Sequence, residues 1–240
     1  MSWSFVVHVH TRRSCDCMTP AAAIVDRAVS LGIHALAITD HDTWQGSVDA
    51  LDHVSKRGLP LRIVIASEVA SEQGDLIGLF LRDDVRQRSG PDFCDEVHQQ
   101  GGLVLLPHPA KWHRLDETLL ERVDLVEIFN GRTTREGNAW AAALAHERKL
   151  PGLVGPDAHR LGELELARNQ FEGEPPSDEA GLKRALLTAP RTFHTRAGSI
   201  WNEWRSQGVR LMKRPDARLA YYWARGAVRR IVKPAEYRLE

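Results

Sequence analysis

The stretch Ser4-Phe5-Val6-Val7-His8-Val9-His10-Thr11 decides how the chain is read: a short apolar run ends in two histidines two residues apart. Phe5-Val6-Val7 has the aromatic and β-branched composition of a buried strand. Residues two apart on a strand point to the same side, so His8 and His10 are expected to aim both imidazoles at one place. The same pattern recurs along the chain. Ala35-Leu36-Ala37-Ile38 leads into Thr39-Asp40-His41-Asp42, Ile63-Val64-Ile65 into Glu68, and Leu103-Val104-Leu105-Leu106 into Pro107-His108-Pro109. Asp124-Leu125-Val126 leads into Glu127-Ile128-Phe129-Asn130, and Gly152-Leu153-Val154 into Pro156-Asp157-Ala158-His159. Barrel and open α/β folds carry their sites at the carboxyl ends of parallel strands. Imidazoles and carboxylates converging there can hold several divalent ions, so a multinuclear metalloenzyme is expected.

Between these runs the chain reads as helical. Thr19-Pro20 opens a helix to Leu31, with Thr19 as N-cap and Pro20 in the first helical position, and Gly32 closes it. Gly46–Lys56 is a second, stopped by Gly58-Leu59-Pro60. Pro91–Gln100 and Arg135–Lys149 follow, and a further helix is expected at Asp178–Leu187 between short strands at Arg168–Phe171 and Arg191–Thr195. Gly74–Leu81 is strand-like and close enough to Leu61–Ala66 to pair with it antiparallel. Repeated β-α units of this length favour a parallel barrel. From about Ser199 the rhythm stops. Trp201–Glu240 carries ten Lys/Arg against four Asp/Glu, with Ala220, Trp223, Ala224, Ala227, Val228 and Ile231 at helical spacing. This extension is either a helix packed on the barrel with a solvated basic face, or a contact for nucleic acid, a membrane surface or another subunit.

Composition narrows the function classes. The chain has 240 residues, 42% of them hydrophobic, enough for one large barrel or two modest domains. Its formal net charge is zero, so the whole-chain balance points to no acidic or nucleic-acid partner. No apolar stretch approaches the roughly 18–20 residues of a membrane span, and Met1-Ser2-Trp3-Ser4 lacks the basic and apolar regions of a signal peptide. Three cysteines give no disulfide framework, and a reducing cytoplasm is the expected compartment.

Each candidate residue has a bland reading beside the functional one. A histidine on a strand is usually a surface or satisfied core residue, but two on one face at a strand end favour ligation. In Thr39-Asp40-His41-Asp42, a turn competes with His41 as ligand and Asp40 as the group that orients a ligand imidazole. Glu68 follows an apolar strand, where an unpaired carboxylate is costly to bury; a cation removes that penalty, and a carboxylate can bridge two ions. The prolines around His108 fit a rigid turn as well as a ligand. Asp157 and His159 again share a face. Glu127 lies within its strand, where a salt bridge competes with ligation.

Taken together, the order His-x-His-Thr, Thr-Asp-His-Asp, Glu, Pro-His-Pro, Glu-x-Phe-Asn-x-Arg and Asp-Ala-His resembles the PHP (polymerase and histidinol phosphatase) family of metal-dependent phosphoesterases, from His8 to about His194. The resemblance implies a distorted (β/α)7 TIM-like barrel over residues 1–198, with residues 199–240 as a basic C-terminal helical extension. It implies two or three divalent ions. His8, His10, Glu68 and Asp157 would hold the first, Glu68 would bridge to a second held by His108 and Glu127, and His41 and His159 would hold a third with an acid from the first loop. Many members have His-Ser/Thr-x-x-Ser-Asp-Gly there. This chain has His10-Thr11-Arg12-Arg13-Ser14-Cys15-Asp16, so Asp16 arrives one residue late, a spacing some members share. Cys15 and Cys17 flank it and read as ordinary loop thiols, although thiolates would favour zinc. Asp75, where some relatives carry a histidine, is not counted as a ligand.

Such a centre would hydrolyse phosphate esters with a metal-bound hydroxide. Mixed imidazole and carboxylate ligands suit zinc, manganese or iron better than magnesium. Arg132, two residues past Asn130, has the planar fork to position a phosphate, and Lys111, Arg12 or Arg13 are further cations for it. The expected substrate is a small phosphomonoester or a nucleotide. The end of an oligonucleotide, attacked as a 5′-exonuclease would, is the competing class, toward which the basic extension leans. A non-catalytic metal-binding module is the third reading. Nothing in the pattern sets the oligomeric state.

Overall fold

The computed structural model describes residues 1–216 and 220. The strands are β1 (Ser2–Val6), β2 (Ala35–Ile38), β3 (Arg62–Ser71), β4 (Gly74–Leu79), β5 (Leu103–Leu106), β6 (Leu125–Asn130), β7 (Gly152–Gly155), β8 (Ala167–Glu172) and β9 (Arg191–Thr195). The helices are α1 (Ala21–Ser30), α2 (Gln45–Arg57), α3 (Gly90–Gln99), α4 (Glu117–Leu120), α5 (Arg135–Arg148), α6 (Glu179–Thr188) and α7 (Ile200–Lys213). One sheet runs in the order β7-β6-β5-β4-β3-β2-β1-β8-β9 and curls into a nearly closed barrel. β1, β2 and β3 are parallel, as are β5, β6 and β7; β4 joins the two groups with antiparallel pairing on both sides. β8 returns antiparallel to β1 and β9 antiparallel to β8. Those reversals are what distort the TIM-like arrangement.

Alternation explains the packing. Phe5, Val7, Ala35, Ala37, Val64, Ile77, Leu105, Leu125 and Leu153 share the barrel interior with Trp3, which stacks on Phe171 at 4.2 Å between ring centroids. Their neighbours Val6, Leu36, Ile38 and Ile63 face out against α1 and α2, and Val104, Leu106 and Val126 against α3–α5. Strands covered on both faces need apolar residues at every position, as these runs have.

Three expectations shift locally. Thr19 is not an N-cap: Pro20 holds that position, α1 has no side-chain cap, and the Thr19 hydroxyl donates to the His159 carbonyl at 3.0 Å. Glu68 is not at a strand end, because β3 leaves β2 after Ile65 and continues to Ser71 against β4. Of the extension, α7 and Ala220 are described; Trp223, Ala224, Ala227, Val228 and Ile231, with Arg225, Arg229 and Arg230, lie outside the described residues. Among the described residues no helix is long and apolar enough to cross a membrane.

The barrel closes without a continuous ladder between β7 and β8. Fully buried Asn169 on β8 fills the gap: its Oδ1 accepts from the Val154 amide at 2.9 Å, and its Nδ2 donates to Val154 O at 2.9 Å and Phe5 O at 3.2 Å. The side-chain amide thus stands in for a peptide unit. Farther along, the chain after β1 pairs with the chain after β7: His10 N donates to Ala158 O at 2.8 Å and Ala158 N to His8 O at 3.1 Å. Asn169→Leu should leave Val154 without partners for its N–H and carbonyl and destabilise the protein by roughly 3 kcal/mol, at about 1–3 kcal/mol per stranded buried group. Urea denaturation followed by tryptophan fluorescence measures it, and a loss under about 1 kcal/mol would reject the role of Asn169 in closure.

Candidate metal centre

The backbone at this seam is bent. His8, His108 and Asp157 have φ of 68°, 55° and 50°, in the left-handed region that costs a residue with a side chain about 1–2 kcal/mol. Strand alternation is therefore not what brings His8 and His10 together, since β1 ends at Val6 and His8 turns the chain. Their rings still converge, with centroids 5.3 Å apart. Gly155 makes room for this bend: a Cβ there would run into the Glu127 carboxylate and come within 2.9 Å of the His8 Cβ.

Glu68 is the hub. It is fully buried, and its Oε2 faces His8 Nε2 and His10 Nε2 at 3.4 Å each and His41 Nδ1 at 3.2 Å. Its other oxygen, Oε1, faces His108 Nε2 at 3.2 Å. Asp157 Oδ1 stands 3.7 Å from His8 Nε2 and 3.6 Å from His10 Nε2. On the far side, Asp16 Oδ2 lies 3.0 Å from His159 Nε2 and 3.4 Å from His41 Nε2. Ligand atoms of His10, Asp16, His41 and His159 fall within 4.8 Å of one another, as do those of His8, His10 and Glu68, and of His8, His108 and Asp157. Asp75, left out of the ligand set by the sequence, forms a further such group with Glu68 and His108.

The buried groups around the hub hold the imidazoles in one tautomer. His8 Nδ1 is 2.8 Å from Glu127 Oε1, so a proton is held on Nδ1 and Nε2 is turned toward the centre. His10 Nδ1 is 3.0 Å from Ser14 Oγ, which in turn donates to Asp40 Oδ1 at 2.8 Å. Asp40 also accepts from the Thr11 amide and hydroxyl at 2.6 and 2.7 Å. Burial raises the Asp40 carboxyl above its ordinary value against these hydrogen bonds, which favour the anion. Asp40 thus reaches the His10 imidazole through Ser14, the serine of the first-loop motif.

Other expectations are redistributed. Glu127 belongs to none of the ligand groups: Oε1 meets His8 and Oε2 accepts from Asn130 Nδ2 at 2.9 Å, the ion-pair alternative of the sequence. Arg132 is buried rather than open. Its Nη2 donates to Ser206 Oγ at 2.8 Å and to Glu163 Oε2 at 3.3 Å, and its Nε lies 3.9 Å from Asp157. Lys111 is half-buried in the loop after His108, its ammonium without a protein acceptor among the described residues. Arg13 is tied outward to Asp49 at 2.8 Å. The Cys17 thiol donates to the His10 and His159 carbonyls, and burial pushes it up to about 11, so it behaves as a structural thiol.

Without ions these charges perturb one another. Burial would lower His8, but Glu127, Glu68 and Asp157 outweigh it and hold the imidazole well above its ordinary value. His41 is opposed by burial and raised by Glu68 and Asp16 to about 10. His10 goes the other way, depressed by burial and by His159 and His41. Burial would raise Glu68 and Asp157, yet the surrounding imidazoles, with the Arg132 guanidinium at Asp157, keep both well below the carboxylate range. Nε2 of His8, His10 and His159, Oε2 of Glu68 and Oδ1 of Asp16 are buried with no hydrogen-bond partner. Buried nitrogen and oxygen donors left unpartnered in this way fit divalent cations, which would take the place of the extra imidazole protons.

The family model of the PHP domain matches residues 7–174. The chain belongs to the PHP family. An uncharacterized protein of Methanocaldococcus jannaschii is 31% identical over 140 residues, 52% of this chain and 80% of the relative. The 5′-3′ exoribonuclease Rnm of Escherichia coli is 40% identical over 96 residues, 39% of this PHP chain but only 31% of that enzyme's length. A two-domain protein from Bacteroides vulgatus, described as containing a predicted PHP-like metal-dependent phosphoesterase, superposes with a TM-score of 0.68 at 16% identity, over 82% of this chain and 65% of that one. That last likeness is one of fold.

Helix α7 reaches into this PHP centre. Besides Ser206 at Arg132, it carries Lys213, whose ammonium donates to the carbonyls of Arg12, Ser14 and Cys17 at 2.8, 2.7 and 2.6 Å. Those carbonyls belong to the loop that carries Asp16, so one residue far along the chain holds it in shape. Lys213→Met should speed amide hydrogen exchange in residues 12–17 roughly tenfold or more, since hydrogen bonds to a charged group contribute about 1.5 kcal/mol or more. Exchange confined to the free end of α7 would rule that clamp out.

Proposed function

We propose that the chain hydrolyses phosphate esters with water at a centre of two or three divalent ions. The observation that carries this reading is Glu68, whose two oxygens face different imidazole sets while Oε2 stays unbonded in the interior. His8, His10, Glu68 and Asp157 would hold one ion, and Glu68 and His108, with Asp75 in reach, a second. Asp16, His41 and His159 would hold a third, with His10 at their edge. Nitrogen and oxygen donors in these proportions suit zinc, manganese or iron. Bound ions would supply Lewis acidity toward phosphoryl oxygens and make a water acidic enough to attack at neutral pH.

The protein's own groups prepare that chemistry. Glu127 and the Asp40–Ser14 pair keep the protons of His8 and His10 on Nδ1, away from the reacting side. Arg132 holds Asp157 electrostatically and has Nη1 without a protein acceptor among the described residues, available to one phosphoryl oxygen. Lys111, beside His108, is a second cation for the same phosphate. The substrate is a phosphorylated small molecule or a nucleotide; likeness to an exoribonuclease favours, as a second reading, the phosphodiester at an oligonucleotide end. Three free cysteines suit a reducing cytoplasm.

Protein reconstituted with Mn²⁺ or Zn²⁺ should retain more than one ion per chain by elemental analysis and hydrolyse phosphate esters. A single ion or none per chain would sink the multinuclear centre. His8→Ala and Asp157→Ala should each lower turnover on the order of a thousandfold with the fold intact. Glu127→Gln, which keeps the shape but weakens the hold on His8, should lower it roughly ten- to a hundredfold. Equal losses in all three variants would put Glu127 back among the ligands.

A further inference from the structure

The hairpin of β3 and β4 carries two carboxylates on one face. In its antiparallel register Glu68 stands opposite Ile77 and Ala70 opposite Asp75. Opposite and alternate residues share a face, so Asp75 projects on the same side as Glu68, as its diagonal neighbour. Ligand atoms of Glu68, Asp75 and His108 lie within 4.8 Å of one another. Among the described residues the Asp75 carboxylate takes no hydrogen bond and forms no ion pair. The surroundings hold it in place. His113 sets its ring nitrogens 2.8 Å from the Asp75 carbonyl and 2.5 Å from the Lys111 carbonyl, tying β4 to the loop after His108. Its ring meets that of His108 edge-on, with centroids 5.7 Å apart. Gly74 is needed for this: its φ is +122°, and a Cβ there would stand 2.4 Å from the His113 ring. His113 thus fixes Asp75 against His108.

The donors around the centre are unequal. Glu68, Asp75 and His108 offer two carboxylates and one imidazole, whereas His10, Asp16, His41 and His159 offer three imidazoles and one carboxylate. Imidazole favours zinc over manganese in the ordinary order of divalent affinities, while carboxylates suit manganese and narrow that gap. We propose that Asp75 is a ligand of the second ion and that its site with Glu68 and His108 takes an exchangeable manganese ion, while the imidazole-rich site at Asp16 retains zinc. The proposal rests on the multinuclear reading of the centre and goes further, since it makes that centre heterometallic. Such a protein keeps part of its metal tightly and draws the rest from solution, so its state of loading follows free manganese.

The test loads metal-stripped full-length protein with excess Mn²⁺ and titrates it with Zn²⁺. Free Mn²⁺ is followed by electron paramagnetic resonance, and bound metal by elemental analysis of the protein retained on ultrafiltration. In the parent, zinc should displace manganese in two stages, the last Mn²⁺ per chain needing roughly tenfold more zinc than the others. In Asp75→His, which exchanges an oxygen donor for a nitrogen, the two stages should merge. In Asp75→Asn one Mn²⁺ per chain should bind roughly tenfold or more weakly while the other sites hold as before. Asp75→Glu, which keeps a carboxylate, should hold that ion better than Asp75→Asn does. Displacement of all manganese from the parent in one stage would overturn the unequal centre. Manganese binding in Asp75→Asn equal to the parent's would overturn Asp75 as a ligand, as would equal loss from every site, which marks a residue of the fold. A parent holding one ion or none would sink the multinuclear reading, and the proposal with it. A parent holding several ions, with Asp75→Asn unchanged, would overturn the proposal alone.

Discussion

The structure is organised around a concentration of buried charge that protein groups alone do not balance. Glu68, Asp157 and Asp16 face His8, His10, His41, His108 and His159 in a water-poor interior. A buried carboxylate is tolerated only with partners, and a buried imidazole nitrogen without a partner loses a hydrogen bond it would have in water. Apolar packing would favour replacing such a cluster outright. Its presence, with three of its members held at positive φ, marks a place where folding free energy is given up for a function. Cations of charge two resolve the conflict, because one ion satisfies several carboxylates and imidazoles together.

That demand explains the seam. β1 pairs with β8 over Ser2–Phe5, then bends at His8 and pairs through Val9 with Ala158 after β7. The same crossing closes the barrel and brings His8 and His10 against Asp157 and His159. A regular ladder between β7 and β8 would keep the strands straight and the ligands apart. Asn169 fills the gap this leaves with a side-chain amide, so the barrel keeps its hydrogen bonds while the backbone above remains free to turn.

Much of this was legible in the sequence, for a physical reason. Strands covered on both faces write themselves as continuous apolar runs, and Phe5-Val6-Val7, Ala35–Ile38, Leu103–Leu106 and Gly152–Gly155 do so. Ligands that follow such runs are visible in the order of residues. What stayed hidden depends on side-chain direction or on contacts distant in sequence. Glu127 and Asp157 both follow apolar runs; only geometry tells that one turns to His8 Nδ1 and the other to the Nε2 side. Thr19 carries a good N-cap residue type, and the demand of the His159 carbonyl overrode that local preference. Ser14 could have been suspected from its place between His10 and Asp16. Lys213 and Asn169 could not, since their partners lie far away along the chain.

Helix α7 links the parts that the sequence separates. Asn202, Ser206 and Lys213 follow one another at helical spacing on the face turned to the barrel, where Ser206 meets Arg132 and Lys213 meets the Asp16 loop. Arg205 and Val209, with Asn202 and Ser206, line a cavity that Asp16 and His159 border. A rigid helix cannot move one of these contacts without the others. Anything that shifts α7 along its axis therefore alters the cation beside Asp157 and the loop that holds Asp16 together.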